Sequence, residues 1–222
     1  MYKTCDLYDP DHTYPEVRAL LDSVEYPFEA LEKIGQTVLE IGRSLPEDEY
    51  CEIGEHVWAA NDAVIDPKAT IHGPAVIGHE TEVRPGAFIR GNAIVGNHAV
   101  VGNSTELKNV ILFDNVQVPH FNYVGDAILG FHAHLGAGAI TSNVRADRKP
   151  VVMKDGSETL PTGRKKVGAF LGDFAEIGCN AVLNPGTVIG RNSIVYPLTN
   201  VRGTVKENCI LKNDGRCVPI TR

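Results

Sequence analysis

The sequence predicts an all-β fold, a parallel β-helix with a short N-terminal α-helical cap, and three observations lead to this prediction. Apolar or small residues recur at every sixth position, the series restarts after an interruption, and an amphipathic helical stripe precedes the first repeat. A period of six matches neither the 3.6 residues of an α-helix nor the two-residue alternation of an ordinary strand. Such a period is typical of stacked solenoid repeats.

Residues 1–50 are expected to form the helical cap. Pro15 suits the first turn of a short helix over residues 16–22, and Pro27 opens a second helix that Pro46 ends. The second helix carries one apolar stripe at three- and four-residue spacing, made by Phe28, Leu31, Ile34, Val38, Ile41 and Leu45. Its expected role is to cover the open first coil of the repeat, which would otherwise expose an unpaired strand edge.

Residues 51–222 are expected to form the β-helix. The first series of anchors is Ile53, Ala59, Ile65, Ile71, Ile77, Val83, Ile89, Val95, Val101, Leu107 and Phe113. The second series is Leu171, Ile177, Leu183, Ile189, Val195 and Val201. Each unit would supply a short strand and a turn, and three units would close a triangular coil of about 18 residues. Coils of this kind stack at strand spacing, about 4.8 Å apart.

The repeat is disturbed twice. Its register slips around Pro119–Gly125, and a loop insertion at about residues 141–166 lacks the six-residue pattern. The insertion region is basic, with Arg145, Arg148, Lys149, Lys154, Arg164, Lys165 and Lys166. A solenoid often places insertions on its binding face, and a short basic loop suits phosphate-bearing small molecules better than duplex nucleic acid. A solvated loop without a ligand would have the same composition.

Composition narrows the class of protein further. The formal charge is −7, and residues 1–50 carry 12 acidic against 4 basic side chains. Five cysteines are scattered without a CxxC pair, which argues against a disulfide framework and a thiolate zinc site. The sequence contains no apolar run of about 18 residues and no signal-peptide pattern at its start. We therefore expect a cytoplasmic protein that binds neither membrane nor nucleic acid.

Several motifs in order carry a resemblance to known enzymes: RPG, ELKN, HFNYVGD, GAGAITSN and TGRKKVGAFLGD. Over residues 50–206 the chain resembles the acetyltransferase half of bifunctional N-acetylglucosamine-1-phosphate uridylyltransferases. It resembles still better the archaeal-type sugar-1-phosphate nucleotidylyltransferase/acetyltransferases. The resemblance implies a left-handed parallel β-helix, a homotrimer, and a site at the subunit boundary where an amino sugar phosphate meets acetyl-CoA.

The resemblance assigns the catalytic base to His120, in HFNYVGD, and a supporting acid to Glu106, in ELKN. N-acetylation requires a neutral amine to attack a thioester carbonyl, so a group must accept a proton near neutral pH. A neutral imidazole has a suitable pKa for this step, and a carboxylate can orient or polarise its ring.

The same resemblance implies a set of substrate-binding residues. Arg84 and Lys108 match positions that hold the substrate phosphate, for which a guanidinium fork and an ammonium point charge are both suited. Tyr123 and Asn143 match positions that contact the sugar, and Lys149 matches another substrate-binding lysine.

Two further positions are implied to contact acetyl-CoA. Ala137 matches a residue whose backbone contacts the coenzyme, and its N–H could also stabilise a thioester oxyanion. Cys179 stands where the uridylyltransferase family has a serine near the thioester, and His134 stands where that family usually has an asparagine. No metal is expected.

The sequence therefore predicts a stand-alone N-acetyltransferase that transfers acetyl from acetyl-CoA to an amino sugar phosphate or a nucleotide amino sugar. No glycine-rich GxGTR-type loop is present, so uridylyltransferase or pyrophosphorylase activity is not expected. One alternative is a non-catalytic trimer that binds a sugar phosphate or serves as a scaffold. Another is a carbonic-anhydrase-like zinc hydratase using His132 and His134 with His98 or His120.

Overall fold

A computed structural model of the protein describes residues 1–220, and its first part is helical. Three short α-helices are present: α1 (Thr4–Leu7), α2 (Pro15–Asp22) and α3 (Ile34–Ser44). Two 3-10 turns, Pro10–His12 and Pro27–Glu32, connect them. No helix within residues 1–220 combines the length and the apolarity needed to cross a membrane.

The helix predicted to follow Pro27 is divided into a 3-10 turn and an α-helix that meet at Lys33. The carbonyl of Leu31, in the last part of the turn, accepts a hydrogen bond from Asn109 Nδ2 at 3.1 Å. This tertiary contact ties the turn to the β-helix just before the α-helix begins.

The strands form a three-sided prism in which each coil contributes a short strand to each side. The first face contains β2 (Val57–Ala60), β5 (Ala75–Ile77), β8 (Ala93–Val95), part of β10 (Glu106–Leu112), part of β12 (Tyr123–Leu129), β17 (Ala169–Leu171), β20 (Thr187–Ile189) and β23 (Thr204–Val205). The second face contains β4 (Thr70–Ile71), β7 (Phe88–Ile89), the beginnings of β10 and β12, β14 (Ile140–Thr141), β19 (Val182–Leu183) and β22 (Asn200–Val201). The third face contains β3 (Val64–Ile65), β6 (Glu82–Val83), β9 (Val100–Asn103), β11 (Gln117–His120), β13 (His134–Leu135), β18 (Glu176–Ile177), β21 (Ile194–Val195) and β24 (Cys209–Leu211).

Pairing between neighbouring coils is parallel, and antiparallel strands occur only at three places within residues 1–220. At the two ends of the prism, β1 (Tyr50–Gly54) pairs antiparallel with β2, and β25 (Cys217–Pro219) pairs antiparallel with β24. The third place is the insertion, where β15 (Val152–Asp155) and β16 (Glu158–Pro161) form a hairpin between β14 and β17. The fold class predicted from the sequence, a parallel β-helix with a short helical segment before it, is confirmed.

The strand register shows where the six-residue series departs from the true ladder. Val95 pairs with Leu112, so Phe113 continues the sequence spacing without belonging to the ladder of anchors. Phe113 is buried against Tyr8, with ring centroids 5.3 Å apart. At the other end of the series, Ile53 lies on the antiparallel strand β1 and is 50% exposed.

Two consecutive coils are one residue shorter than the others. Ile89 pairs with Leu107, 18 residues later, but Leu107 pairs with Val124, 17 residues later. The shortening begins where Ala93 pairs with Val110, before the Pro119–Gly125 segment in which the sequence suggests a slip. The next coil, through β14, is short as well.

The helical segment covers the first face lengthwise rather than the end of the first coil. Helix α3 contacts β5, β8 and β10, and Tyr8 Oη donates to the carbonyl of Ile128 at 3.4 Å. At the far end of the prism, Tyr2 Oη accepts a hydrogen bond from the backbone N–H of Glu207 at 2.9 Å. The physical reason is that first-face strands are apolar on both sides. Their fully buried outward side chains are Val76, Ile94, Ile111, Ile128, Phe170 and Val188.

Candidate functional site

Three of the predicted site residues lie in one column at the corner where the third face turns into the second, here called the histidine corner. His120 ends β11 and is exposed, and Ala137 and Cys179 occupy the same turn position in the next two coils. The backbone N–H of Gly138 donates to the His120 carbonyl at 3.0 Å, and that of Asn180 donates to the Ala137 carbonyl at 2.9 Å. The stacked turns therefore bring these three residues together.

A buried amide fixes the backbone of His120 while its side chain remains exposed. The N–H of His120 donates to Asn122 Oδ1 at 3.1 Å, and Asn122 is only 2% exposed. Asn122 Nδ2 donates in turn to the carbonyls of Gly136 at 2.8 Å and Ala139 at 3.1 Å. The imidazole is thus carried on a rigid turn at the surface.

Glu106, the predicted supporting acid, lies on the second face and pairs with a different residue. Its Oε1 accepts a hydrogen bond from Arg90 Nη1 at 2.6 Å. No hydrogen bond or ion pair joins Glu106 to His120 in the described part of the chain. Both Glu106 and Arg90 are partly exposed, so this pair is accessible to solvent.

A polar ladder occupies the next corner, where the second face turns into the first, here called the asparagine corner. Asn92, Asn109, Asp126 and Asn143 follow one another at a spacing of 17 residues. Asn92 Nδ2 donates to Asn109 Oδ1 at 3.3 Å, and Asn109 Nδ2 donates to Asp126 Oδ1 at 3.0 Å. Asn143 Nδ2 donates to Asp126 Oδ2 at 2.6 Å. The first three residues have φ near +50°, a conformation that Asn and Asp adopt more readily than most residues.

The Asp126 carboxylate is the centre of this ladder, since it is only 4% exposed and three side chains donate to it. The third donor is Lys108, with Nζ 2.8 Å from Oδ1. Tyr123 Oη accepts from Asn143 Nδ2 at 3.1 Å. The structure therefore brings together three predicted substrate-binding residues, Lys108, Tyr123 and Asn143, around Asp126. Sequence reasoning missed Asp126, although the 17-residue spacing on either side of it is visible in the sequence.

The position of Tyr123 depends on a glycine two residues later. A Cβ atom at Gly125 would lie 2.5 Å from Tyr123 Oη, so a larger residue would displace the ring. Burial raises the pKa of the Tyr123 hydroxyl above its usual value, and the neighbouring negative charge of Asp126 raises it further. Tyr123 is therefore a neutral hydroxyl across the physiological pH range.

A basic groove lies beside the ladder. It has a volume of about 640 Å³ and is bordered by Lys108, Asp126 and the insertion residues Arg164, Lys165 and Lys166. Arg164 Nη1 is 2.9 Å from a carboxylate oxygen of Glu32, in the helical segment that covers the first face. The groove thus combines cations from the repeat and from the insertion.

Arg84 and Lys149 lie apart from this groove. Arg84 begins a turn of the histidine corner two coils before His120, and its Nη2 is 2.9 Å from Glu82 Oε2. Lys149 is exposed in the insertion, where its backbone N–H donates to Asp147 Oδ1 at 3.2 Å. A hydrogen bond from Arg145 holds the pKa of Asp147 well below its usual value.

The histidines considered for a zinc site are engaged separately. His134 Nδ1 lies 2.8 Å from Glu176 Oε2, and His98 Nδ1 lies 3.3 Å from Glu80. Within residues 1–220, no group of three or more His, Cys, Asp or Glu side chains is arranged to hold a metal ion.

The two corners border opposite edges of the second face. About five extended residues separate them, which at about 3.3 Å per residue corresponds to roughly 16 Å. An imidazole at the histidine corner and a phosphate at the asparagine corner of the same chain would therefore be farther apart than the ends of one monosaccharide phosphate.

Comparison with known proteins gives one family model and several relatives. Residues 71–156, less than half of the chain, match the model described as the GMPPB C-terminal domain. A bifunctional protein GlmU of Methanococcus maripaludis strain C5 is 37% identical over 130 residues, which are 59% of this chain and 29% of that protein. A bifunctional sugar-1-phosphate nucleotidylyltransferase/acetyltransferase of Sulfurisphaera tokodaii is 33% identical over 159 residues, 64% of this chain and 40% of that protein.

Among solved structures, the acetyltransferase domain of PglB from Neisseria gonorrhoeae, in complex with acetyl coenzyme A, matches with a TM-score of 0.35 and 16% identity. That match covers 73% of this chain and 57% of the other. The overlap is too loose to transfer the role of any residue. The chain spans well under half the length of the two sequence relatives. Its motifs predicted this resemblance, which is confirmed: the chain is similar to part of the bifunctional GlmU and sugar-1-phosphate nucleotidylyltransferase/acetyltransferase proteins.

Proposed function

We propose that this chain is an acetyl-CoA-dependent N-acetyltransferase whose acceptor is an amino sugar phosphate or a nucleotide amino sugar. The observation that carries the proposal is the column of His120, Ala137 and Cys179 at one exposed corner, on a rigid backbone. The sequence similarity to bifunctional sugar-1-phosphate nucleotidylyltransferase/acetyltransferases supports it.

In the proposed reaction, His120 acts as the general base. The acceptor amine attacks the thioester carbonyl of acetyl-CoA, a C–N bond forms, and the neutral imidazole takes the proton that the nitrogen releases. The C–S bond then breaks, and the sulfur leaves as the coenzyme A thiol after receiving a proton. The backbone N–H of Ala137 would stabilise the transient oxyanion, and Cys179 would lie beside the thioester. No covalent enzyme intermediate is required.

The asparagine corner would bind the acceptor. Lys108 is fixed by Asp126, so its ammonium has a defined position at the edge of the basic groove. A phosphate in that groove would also meet the insertion cations, and Asn143 and Tyr123 would contact the sugar. Arg84 and Lys149 would contribute further positive charge if a neighbouring chain brought them to the same substrate.

The distance between the corners favours a shared site in a homotrimer. Within one chain the imidazole and the basic groove are roughly 16 Å apart by strand geometry. If the histidine corner of one subunit packed beside the asparagine corner of the next, both would reach one small substrate. The same packing would bring a carboxylate to His120, which Glu106 of the same chain does not provide.

Replacing His120 with alanine tests the proposal. With acetyl-CoA and a panel of amino sugar 1-phosphates and nucleotide amino sugars, thiol release should fall by about 10²–10⁴-fold, the usual contribution of a general base. His72→Ala, which removes another exposed imidazole, is the matched control and should retain wild-type turnover. Both variants should keep the wild-type molecular mass in solution. Wild-type turnover by the His120→Ala variant would refute the assignment.

The pairing of Glu106 with Arg90 favours one second candidate, a non-catalytic protein that binds a sugar phosphate. Such a protein would retain the basic groove while its histidine lacks an orienting acid. Binding of glucosamine 1-phosphate without thiol release from acetyl-CoA, across the whole acceptor panel, would support this candidate over the enzyme.

A further inference from the structure

A second cavity, of about 600 Å³, lies between the insertion and the turns of the asparagine corner that follow it. Arg145 and Lys154 of the insertion line one wall, and Pro185 and Arg202 of the corner turns line the other. It shares no lining residue with the basic groove at Lys108. Its volume lies within the range of about 300–1,000 Å³ that is typical of small-molecule sites.

The cavity carries uncompensated positive charge. Asp147 is the one carboxylate among its described lining residues, and it binds Arg145 in a bidentate pair with distances of 2.8 and 2.7 Å. Neither Lys154 nor Arg202 forms an ion pair within residues 1–220. Asp155, next to Lys154, turns away from the cavity, because its carboxylate binds Lys206 Nζ at 2.8 Å. Two cations therefore remain available to an anion.

The cavity also has apolar surface beside these cations. Val144 is 42% exposed, and Val152 and Pro185 lie nearby in the lining. An inorganic phosphate would fill only a small part of this volume. A nucleoside diphosphate matches the combination better, since it joins a charged diphosphate to a ribose and a flat base.

The walls are held in place without a ligand. Thr204 Oγ1 donates to the Lys154 carbonyl at 2.8 Å, which fixes the hairpin to the first face. Met153, between the cavity residues Val152 and Lys154, is fully buried, and Thr162 Oγ1 donates to the Val151 carbonyl at 2.7 Å. A preformed site of this kind loses little conformational entropy when a ligand binds.

We infer that this cavity binds a nucleoside diphosphate, with the phosphates on Arg202 and Lys154 and the nucleoside against Val144 and Pro185. The inference rests on the proposed function, because both co-substrates of such a transferase can carry this group. Coenzyme A ends in a 3′-phosphorylated adenosine diphosphate, and a nucleotide amino sugar contains a nucleoside diphosphate. The insertion thus supplies a nucleotide site that the regular coils lack.

Isothermal titration calorimetry on the full chain tests the inference. Coenzyme A, UDP, glucosamine 1-phosphate and inorganic phosphate are each titrated into the wild type and into the Arg202→Gln/Lys154→Gln double variant. We expect the Kd of at least one nucleotide to rise at least tenfold in the double variant, while the Kd of glucosamine 1-phosphate stays within twofold. Arg43→Gln/Lys68→Gln removes two exposed cations elsewhere and should leave all four Kd values within twofold of wild type.

The two nucleotides distinguish the possible sources of the ligand. Weakened binding of coenzyme A alone assigns the cavity to the acyl donor, and weakened binding of UDP alone assigns it to the acceptor. An unchanged nucleotide Kd in the double variant overturns the inference, as does a wild type that binds no nucleotide or binds inorganic phosphate equally well. These binding measurements need no turnover. A wild type that binds nucleotide but releases no thiol would refute the proposed function and leave the cavity assignment standing.

Discussion

Replacing Asp126 with asparagine tests whether the polar ladder stabilises the fold. The change preserves side-chain volume and removes one negative charge and one acceptor atom. In the wild type, Oδ1 accepts from Lys108 and Asn109, and Oδ2 accepts from Asn143. An asparagine can offer its single oxygen to only one of these two sides, and its NH₂ group then faces another donor.

The expected loss follows from the contacts that cannot be remade. A hydrogen bond to a charged group contributes about 1.5–3 kcal/mol, and at least one such bond is lost at a site that is only 4% exposed. Lys108 is 28% exposed, so its ammonium regains water and adds little to the loss. We therefore expect the free energy of unfolding to fall by about 2–3 kcal/mol. For a chain of this size that corresponds to a Tm lower by about 4–12 °C.

Thermal and urea unfolding followed by circular dichroism measure this loss. Asp147→Asn is the matched control, because it removes a carboxylate from an exposed ion pair and should leave the Tm within the scatter of replicate scans. A Tm of the Asp126→Asn variant equal to that of the wild type would show that the ladder contributes nothing to stability and would refute the reasoning.

Two further predictions concern other buried side chains. Phe170→Ala should lower the free energy of unfolding by about 3–5 kcal/mol, because Phe170 fills the contact between the first face and the helical segment; Val182→Ala, on the partly exposed second face, should cost much less, and equal losses in urea unfolding would contradict this. Burial raises the pKa of Asp173 above its ordinary value, so the folded state binds this proton more tightly than the unfolded state. Wild-type stability should therefore contain a component that decreases as pH rises through the range just above the ordinary carboxyl pKa. Asp173→Asn should lack that component, and identical pH slopes in urea titrations of the two proteins would argue against it.

The sequence predicts the core of the prism well because one physical requirement sets its pattern. Each coil must place an apolar residue inward on every side, so anchors such as Ile77 and Val95 recur and pair as expected. The pattern misassigns Phe113 because six-residue counting does not reveal a shortened corner. Only the register of hydrogen bonds between coils shows that Leu112 occupies the ladder.

The path of the helical segment could also have been inferred from the sequence. The first-face strands read AVI, AIV, VIL, AIL and AFL, with three apolar residues in succession. Such runs are typical of strands buried on both sides, whereas the other faces mix apolar with polar residues. The signal lies in comparing the three sides of the coil, which a search for anchors alone does not do.

The candidate site is predictable in part for similar reasons. The motifs identify Lys108, Tyr123 and Asn143, and stacking at equal coil positions brings them together around Asp126. The partner of Glu106 could not be predicted, because the direction of a long exposed side chain such as Arg90 depends on local packing rather than on the repeat.

The lengthwise path of the helical segment has a consequence for how the protein unfolds. In an ordinary solenoid each repeat contacts only its neighbours, so terminal repeats can open one at a time. Here a single segment contacts β5 near one end through α3 and Glu207 near the other through Tyr2. Opening any first-face coil exposes apolar surface that this segment covers, which couples distant coils to one another. The chain should therefore behave as one cooperative unit rather than as a row of independent repeats.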